Sequence, residues 1–154
     1  IQPNLDYADT VWTECGLGGI QKLQRLQNYA ARIILKNFDY INVRGENLVK
    51  QLGWQPLADR RKFHTACLMY KCINGIAPSY LSDQVTLVSD VNIRNTRSSK
   101  SLDVIVPTVN KTIFKRSFAY QGAIIWNQIP NSVRTAEDLP SFKSKYKQFY
   151  FRDR

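Results

Sequence analysis

The side chains capable of chemistry fall into four groups along the sequence. Tyr7-Ala8-Asp9-Thr10 approaches an aromatic-x-Asp-Asp arrangement. In that chemistry two adjacent carboxylates hold Mg²⁺ ions that activate a primer end and stabilise a leaving phosphate. Here Thr10 stands where the second carboxylate is needed. The flanking residues read as helix rather than as two hydrophobic strands around a turn, so Asp6 and Asp9 are read as a solvated face. His64, Cys67 and Cys72 invite a zinc reading. A structural zinc site needs four ligands, usually as two close pairs, and only Cys15 could complete this one. Cys67 and Cys72 are five residues apart on a helix, point to different faces, and read as core cysteines. His64 has no Ser-Asp or Cys-Asn partner that spacing justifies, which leaves a catalytic triad unsupported. Gly16-Leu17-Gly18-Gly19 lacks the preceding strand and the following Lys-Ser or Lys-Thr of a phosphate loop. It reads as a joint between two helices.

The fourth group is basic. Arg60-Arg61-Lys62 falls in the first turns of a helix, where the dipole gives cations no support. Arg94, Arg97, Lys100, Lys111, Lys115 and Arg116 fall in or beside irregular segments, with Phe114, Phe118 and Tyr120 close in sequence. Arg and Lys neutralise phosphates, and aromatic rings can stack on unpaired bases. Phe118 and Trp126 are better read as core.

The charge balance supports that reading. The sequence carries 22 basic and 12 acidic residues, a net charge of +10. Residues 1–90 hold 10 basic and 8 acidic groups, net +2, whereas residues 91–154 hold 12 and 4, net +8. A skew of this kind points to a polyanion on the second half. The 44% hydrophobic content is that of a globular chain, not a disordered tail. No apolar run approaches the roughly 18 residues of a membrane span, and no signal peptide is visible. Three cysteines are too few for a disulfide framework and fit an intracellular setting, nucleus or cytoplasm. Ile1 without an initiator Met suggests a part of something longer.

The elements that must position these groups are mostly helices. Leu5, Ala8, Val11 and Trp12 recur at helical spacing over Leu5–Glu14. Ile20, Leu23, Leu26, Ala30, Ile33 and Ile34 form one stripe of a helix from about Ile20 to Lys36. Residues 37–46 read as a loop, and Leu48 to Leu52 as a short helix stopped by Gly53. A helix from Leu57 to Asn74 shows a wide apolar face with Phe63, Ala66, Cys67, Met69 and Tyr70, and Gly75 ends it. Pro78 opens a short turn. Residues 86–101 read as an irregular basic connector. Asp103–Val109 is the one strand candidate, with Pro107 arguing for an edge and Thr112–Phe118 as its possible hairpin partner. Phe118–Gln128 and a helix beginning near Pro140 close the chain, with Lys143, Lys145 and Lys147 decorating the latter. Gly122 is placed for close backbone approach. The fold class is therefore mainly α: a small helical bundle with a second helical lobe and at most one short β-hairpin. The lobes are 1–85 and 102–154, joined by 86–101.

Taken in order, short motifs along nearly the whole chain resemble one family. They run Leu5-Asp6-Tyr7 with Val11-Trp12, Leu23-Gln24-Arg25-Leu26-Gln27-Asn28, Ala30-Ala31-Arg32-Ile33-Ile34, and Leu52-Gly53-Trp54 with Leu57 and Arg60-Arg61. Met69-Tyr70-Lys71, Ala77-Pro78-Ser79-Tyr80-Leu81, Asn95-Thr96-Arg97-Ser98 and Val106-Pro107 follow. Ser117-Phe118, Gly122-Ala123, Trp126-Asn127, Ile129-Pro130 and Phe142-Lys143 complete the series. The pattern resembles the region after the catalytic palm in reverse transcriptases of non-LTR (LINE-type, jockey-like) retrotransposons.

The resemblance implies that a palm with its metal-binding aspartates lies before Ile1, with an endonuclease further upstream. Mg²⁺ would belong to that palm, and this segment would need no cofactor and carry no catalytic centre. It would hold the thumb over 1–85, gripping a template–primer of RNA and DNA, and a C-terminal extension that handles RNA or target DNA, with no membrane partner and a monomeric state. Arg25 and Arg32 would be phosphate contacts on a thumb helix near the duplex. With Arg60, Arg61, Lys62, Arg94, Arg97, Lys115 and Arg116 they form the candidate nucleic-acid surface. The Cys/His zinc knuckle that ends many family copies has no counterpart here. Two other readings stand beside this one: a helical protein-interaction module or domesticated relic that buries Trp12, Trp54 or Trp126 against a partner, and a small enzyme using His64 with a cysteine.

Overall fold

A computed structural model describes residues 2–10, 17–91 and 102–151. Among them the chain is mainly helical, with α1 (Gln2–Asp6), α2 (Leu17–Leu35), α3 (Gly45–Gln51), α4 (Leu57–Ile73), α5 (Ser79–Ser82), α6 (Val88–Val91), α7 (Phe118–Asn127), α8 (Asn131–Arg134) and α9 (Leu139–Phe151). Two compact units divide between Lys62 and Phe63. The division falls inside α4 rather than at residues 86–101. Phe63, Ala66, Cys67, Met69 and Tyr70 of α4 belong to the core built by the later helices, and this draws the second unit back to Phe63. Residues 92–101 of the expected connector lie outside the described residues, and 88–91 form α6.

In the first unit α2 packs on α3. Ala31, Leu48 and Val49 make the centre, with Leu35, Val43, Leu52 and Trp54 around it. A Cβ built on Gly45 would lie 2.7 Å from the Cβ of Asn28, so the two backbones meet where only glycine fits. Gly18 and Gly19, read in the sequence as part of a joint between two helices, lie instead in the first turn of α2.

The buried face of α2 differs from the apolar stripe read in the sequence. Leu26 is 57% exposed, and Ile33 and Ile34 are about as open. The buried positions are Gln27, Ala30, Ala31 and Arg32. A buried polar group is tolerated only when hydrogen-bonded, and both polar residues are. Gln27 Nε2 donates to the Gln55 carbonyl at 2.9 Å, and Gln24 Nε2 donates to Gln27 Oε1 at 2.8 Å. Gln24 Oε1 in turn accepts from the Leu57 N–H at 3.0 Å, supplying a partner for an N–H that α4 leaves open at its start. Helix endings follow the sequence more closely. Gly53 and Gly75 take positive φ, +66° and +67°, just past α3 and α4.

The second unit is built around a column of rings. Phe142 stacks on Tyr70 at 4.7 Å and on Trp126 at 5.9 Å, and Tyr146 continues the column toward Phe63. The polar ends are paired: Tyr70 Oη donates to the Ala136 carbonyl and Trp126 Nε1 to the Leu102 carbonyl, both at 2.8 Å. Gly122 on α7 does allow close approach, since a Cβ there would stand 2.6 Å from Met69 Sδ.

No strand or hairpin occurs among the described residues. Val104 makes an isolated antiparallel bridge with Leu87 instead of pairing with 112–118. The reason is Asn127. Its Oδ1 accepts from the Val104 N–H at 2.9 Å and its Nδ2 donates to the Val104 carbonyl at 2.8 Å, so a side chain occupies both ladder groups. Residues Phe114–Arg116 form a 3₁₀ turn.

Candidate nucleic-acid interface

The nine cations of the candidate surface meet different fates. Arg25, Lys62, Lys115 and Arg116 are exposed. Lys115 and Arg116 occupy the 3₁₀ turn with Phe114, also exposed, and Gln121 Nε2 fixes that turn by donating to the Lys115 carbonyl. Arg94 and Arg97 lie outside the described residues.

Arg32 is a correction. It is 6% exposed, and its guanidinium donates to the carbonyls of Asn37, Asp39 and Val43. A guanidinium carries five N–H donors in a rigid fork, which suits it to hold three carbonyls of one loop. Its guanidinium is committed to the loop. Arg61 is a second correction, at 2% exposure. Arg60 is half-buried and binds both oxygens of Asp6, which raises its pKa further. Such a bidentate pair is already satisfied by an anion of the chain itself. Asp6 and Asp9 are thus not a solvated face: Asp6 holds Arg60, and Asp9 is buried.

The lysines of α9, read as mere decoration, emerge as the stronger feature. Lys143, Lys145 and Lys147 are exposed on a helix without a carboxylate. Like Lys115 and Arg116, they make no ion pair among the described residues. Lys147 Nζ lies 5.4 Å from the Phe63 ring centroid, a cation–π contact that orients it.

A second feature went unread because it depends on a loop. Between α2 and the segment 37–45 lies a cleft of about 410 Å³, lined by Arg25, Leu26, Asn28, Tyr29, Arg32, Tyr40 and Gly45. The Asp39 carboxylate braces the 39–42 turn by accepting from the N–H groups of Asn42 and Ile41 and from Asn42 Nδ2. These bonds, with the nearby Arg32 charge, hold the Asp39 carboxyl below its ordinary pKa.

Of the residues considered for nucleophilic or zinc chemistry, Cys15 lies outside the described residues, and Cys67 and Cys72 take the core positions expected of them. Cys67 and Cys72 are both free and buried. Burial pushes the Cys67 thiol up to about 11, against the opposing pull of Lys143, Lys71 and Lys147. Burial likewise raises Cys72. Thiols held protonated in this way are poor nucleophiles and poor metal ligands. No described helix is long and apolar enough to cross a membrane. No family model, curated protein or solved structure matches the chain.

Proposed function

We propose that this chain binds nucleic acid, as the thumb and C-terminal part of a non-LTR retrotransposon reverse transcriptase. Its cations hold the phosphates of a template–primer or target strand without reading sequence. The observation that carries the reading is the set of exposed cations that make no ion pair among the described residues: Lys115, Arg116, Lys143, Lys145 and Lys147, in the half of the chain that holds net +8. Retaining unpaired charge of one sign on a surface favours a polyanion, and backbone contacts need no base readout. On this reading polymerisation and its Mg²⁺ belong to a palm outside these residues, and the segment contributes grip.

The test is a salt titration of affinity for an RNA–DNA hybrid duplex. A phosphate binder loses affinity steeply between roughly 50 and 200 mM salt, and each phosphate-contacting cation replaced by Ala lowers the salt slope by about 1. Alanine at Lys115, Arg116, Lys143, Lys145 and Lys147 together is expected to flatten the slope. Affinity that ignores both salt and these substitutions would exclude the reading.

One observation favours a second reading, a helical protein-interaction module. Leu26, Ile33, Ile34, Phe38 and Ile41 are all at least half exposed on or beside α2. Apolar residues gathered on a surface commonly mark a protein contact. An apolar partner would bind with little salt dependence, so the same titration separates the two.

A further inference from the structure

We propose that the cleft between α2 and residues 37–45 is a single-nucleotide site. Tyr29 and Tyr40 stack an unpaired base, Asn28 donates to the base edge, and Arg25 holds the adjoining phosphate. The proposal rests on the nucleic-acid reading above and narrows its ligand at this site to a single strand.

Size comes first. The volume of about 410 Å³ lies within the roughly 300–1,000 Å³ of small-molecule sites. The aromatic faces come next. Tyr29 is half exposed and Tyr40 is 62% exposed. The Arg32 guanidinium sits 4.4 Å from the Tyr40 ring centroid and covers one face. The opposite face is left to a ligand, on a ring already held in place, so little rotamer freedom is lost on binding. Arg32 is itself fixed by three carbonyls, so the platform is rigid before any ligand arrives.

The polar groups are also unspent. Asn28 Oδ1 accepts from Gln24 Nε2, which orients the amide and leaves Nδ2 as donor. That Nδ2 makes no hydrogen bond among the described residues. Arg25 is exposed, makes no ion pair among them, and stands on a helix with no carboxylate. The site therefore offers flat apolar faces, an edge donor and one exposed positive charge. A nucleotide combines a π-face, acceptors on its edge and a phosphate. Bases inside a duplex have their faces covered by their neighbours, so an unpaired base is required.

The test compares binding of the full chain to labelled oligothymidylate and to an abasic strand with the same number of phosphates, at physiological salt. The base-bearing strand is expected to bind roughly ten- to a hundredfold tighter. Tyr29→Ala and Tyr40→Ala should each erase that preference while leaving abasic affinity unchanged. Tyr29→Phe and Tyr40→Phe should keep it, because stacking needs the ring and not the hydroxyl. Arg25→Ala should weaken both strands. Equal affinity for the two strands, a preference that survives both alanine variants, or displacement of the strand from the cleft by oligoglutamate as readily as by thymidylate would each overturn the site. In those cases binding of the abasic strand would leave the phosphate reading standing. Failure of either strand to bind would overturn both.

Discussion

The guanidinium of Arg32 lies 4.4 Å from the ring centroid of Tyr40, eight positions later in the chain, while its N–H groups hold the carbonyls of Asn37, Asp39 and Val43. One side chain thus ties down a whole loop. Arg32→Ala would remove three charge-assisted bonds and leave their carbonyls to water, which costs about 2–3 kcal/mol. Denaturant unfolding checks this as a lower midpoint at unchanged slope. Arg32→Lys should recover only part, since an ammonium is a point donor and cannot span three carbonyls in a plane.

Gly122 and Met69 give a packing prediction. A methyl at position 122 would press on Met69 Sδ, so Gly122→Ala is expected to cost about 1–3 kcal/mol by overpacking. Met69→Ala alone should cost about 2–5 kcal/mol through the cavity it opens. The double variant should be more stable than the sum of the two costs implies, because the new methyl grows toward the vacated space. A double-mutant cycle by thermal unfolding measures this coupling; strict additivity would contradict the contact.

Asn127 substitutes for a β-strand. Asn127→Ala would strand the N–H and carbonyl of Val104, a loss of about 1–3 kcal/mol. Asn127→Asp keeps an acceptor for the Val104 N–H but sets a carboxylate against its carbonyl, so it should not rescue. Faster amide exchange at Val104 in both variants is the direct readout.

Cys67 predicts a pH dependence. Its thiol moves from an ordinary 9.0 to about 11 on folding, chiefly through burial. Its contribution to stability is complete below pH 9.0 and disappears as the pH rises toward 11. Alkylation of the native protein at neutral pH should therefore be slow at Cys67 and fast once the chain is unfolded. Equal rates in the two states would contradict the burial.

The sequence revealed the elements whose partners are local or whose faces are uniformly apolar. In α4, Phe63, Ala66, Cys67 and Tyr70 fall on one wide apolar face, and they are core. In α9, Leu139, Phe142 and Tyr146 recur at spacings of three and four and pack in the same core, joined by Tyr150, while Phe149 is exposed. The face of α2 was not legible, because it is chosen by Gln27 and Arg32, whose partners Gln55 and Val43 are supplied by other segments. The hairpin failed for a similar reason: Val104 is claimed by a side chain 23 residues away. Among the site residues, charge alone did not separate exposed Arg25 from buried Arg32 on the same helix, nor Lys62 from Arg61 beside it. The cleft required Tyr40, which lay in a segment without periodicity.

The inverted face of α2 reverses which of its positions evolution and engineering can alter freely. Leu26, Ile33 and Ile34 face outward, so charged replacements there should leave the fold intact and aid handling at high concentration. Gln27 and Arg32 are the intolerant positions, and even a leucine of similar bulk at Gln27 would orphan the Gln55 carbonyl. A saturation library across this helix, scored for folded protein, should rank Gln27, Ala31 and Arg32 as essential and Leu26, Ile33 and Ile34 as free. A hydrophobicity-based design rule would invert that ranking and discard the two side chains that hold the helix in place.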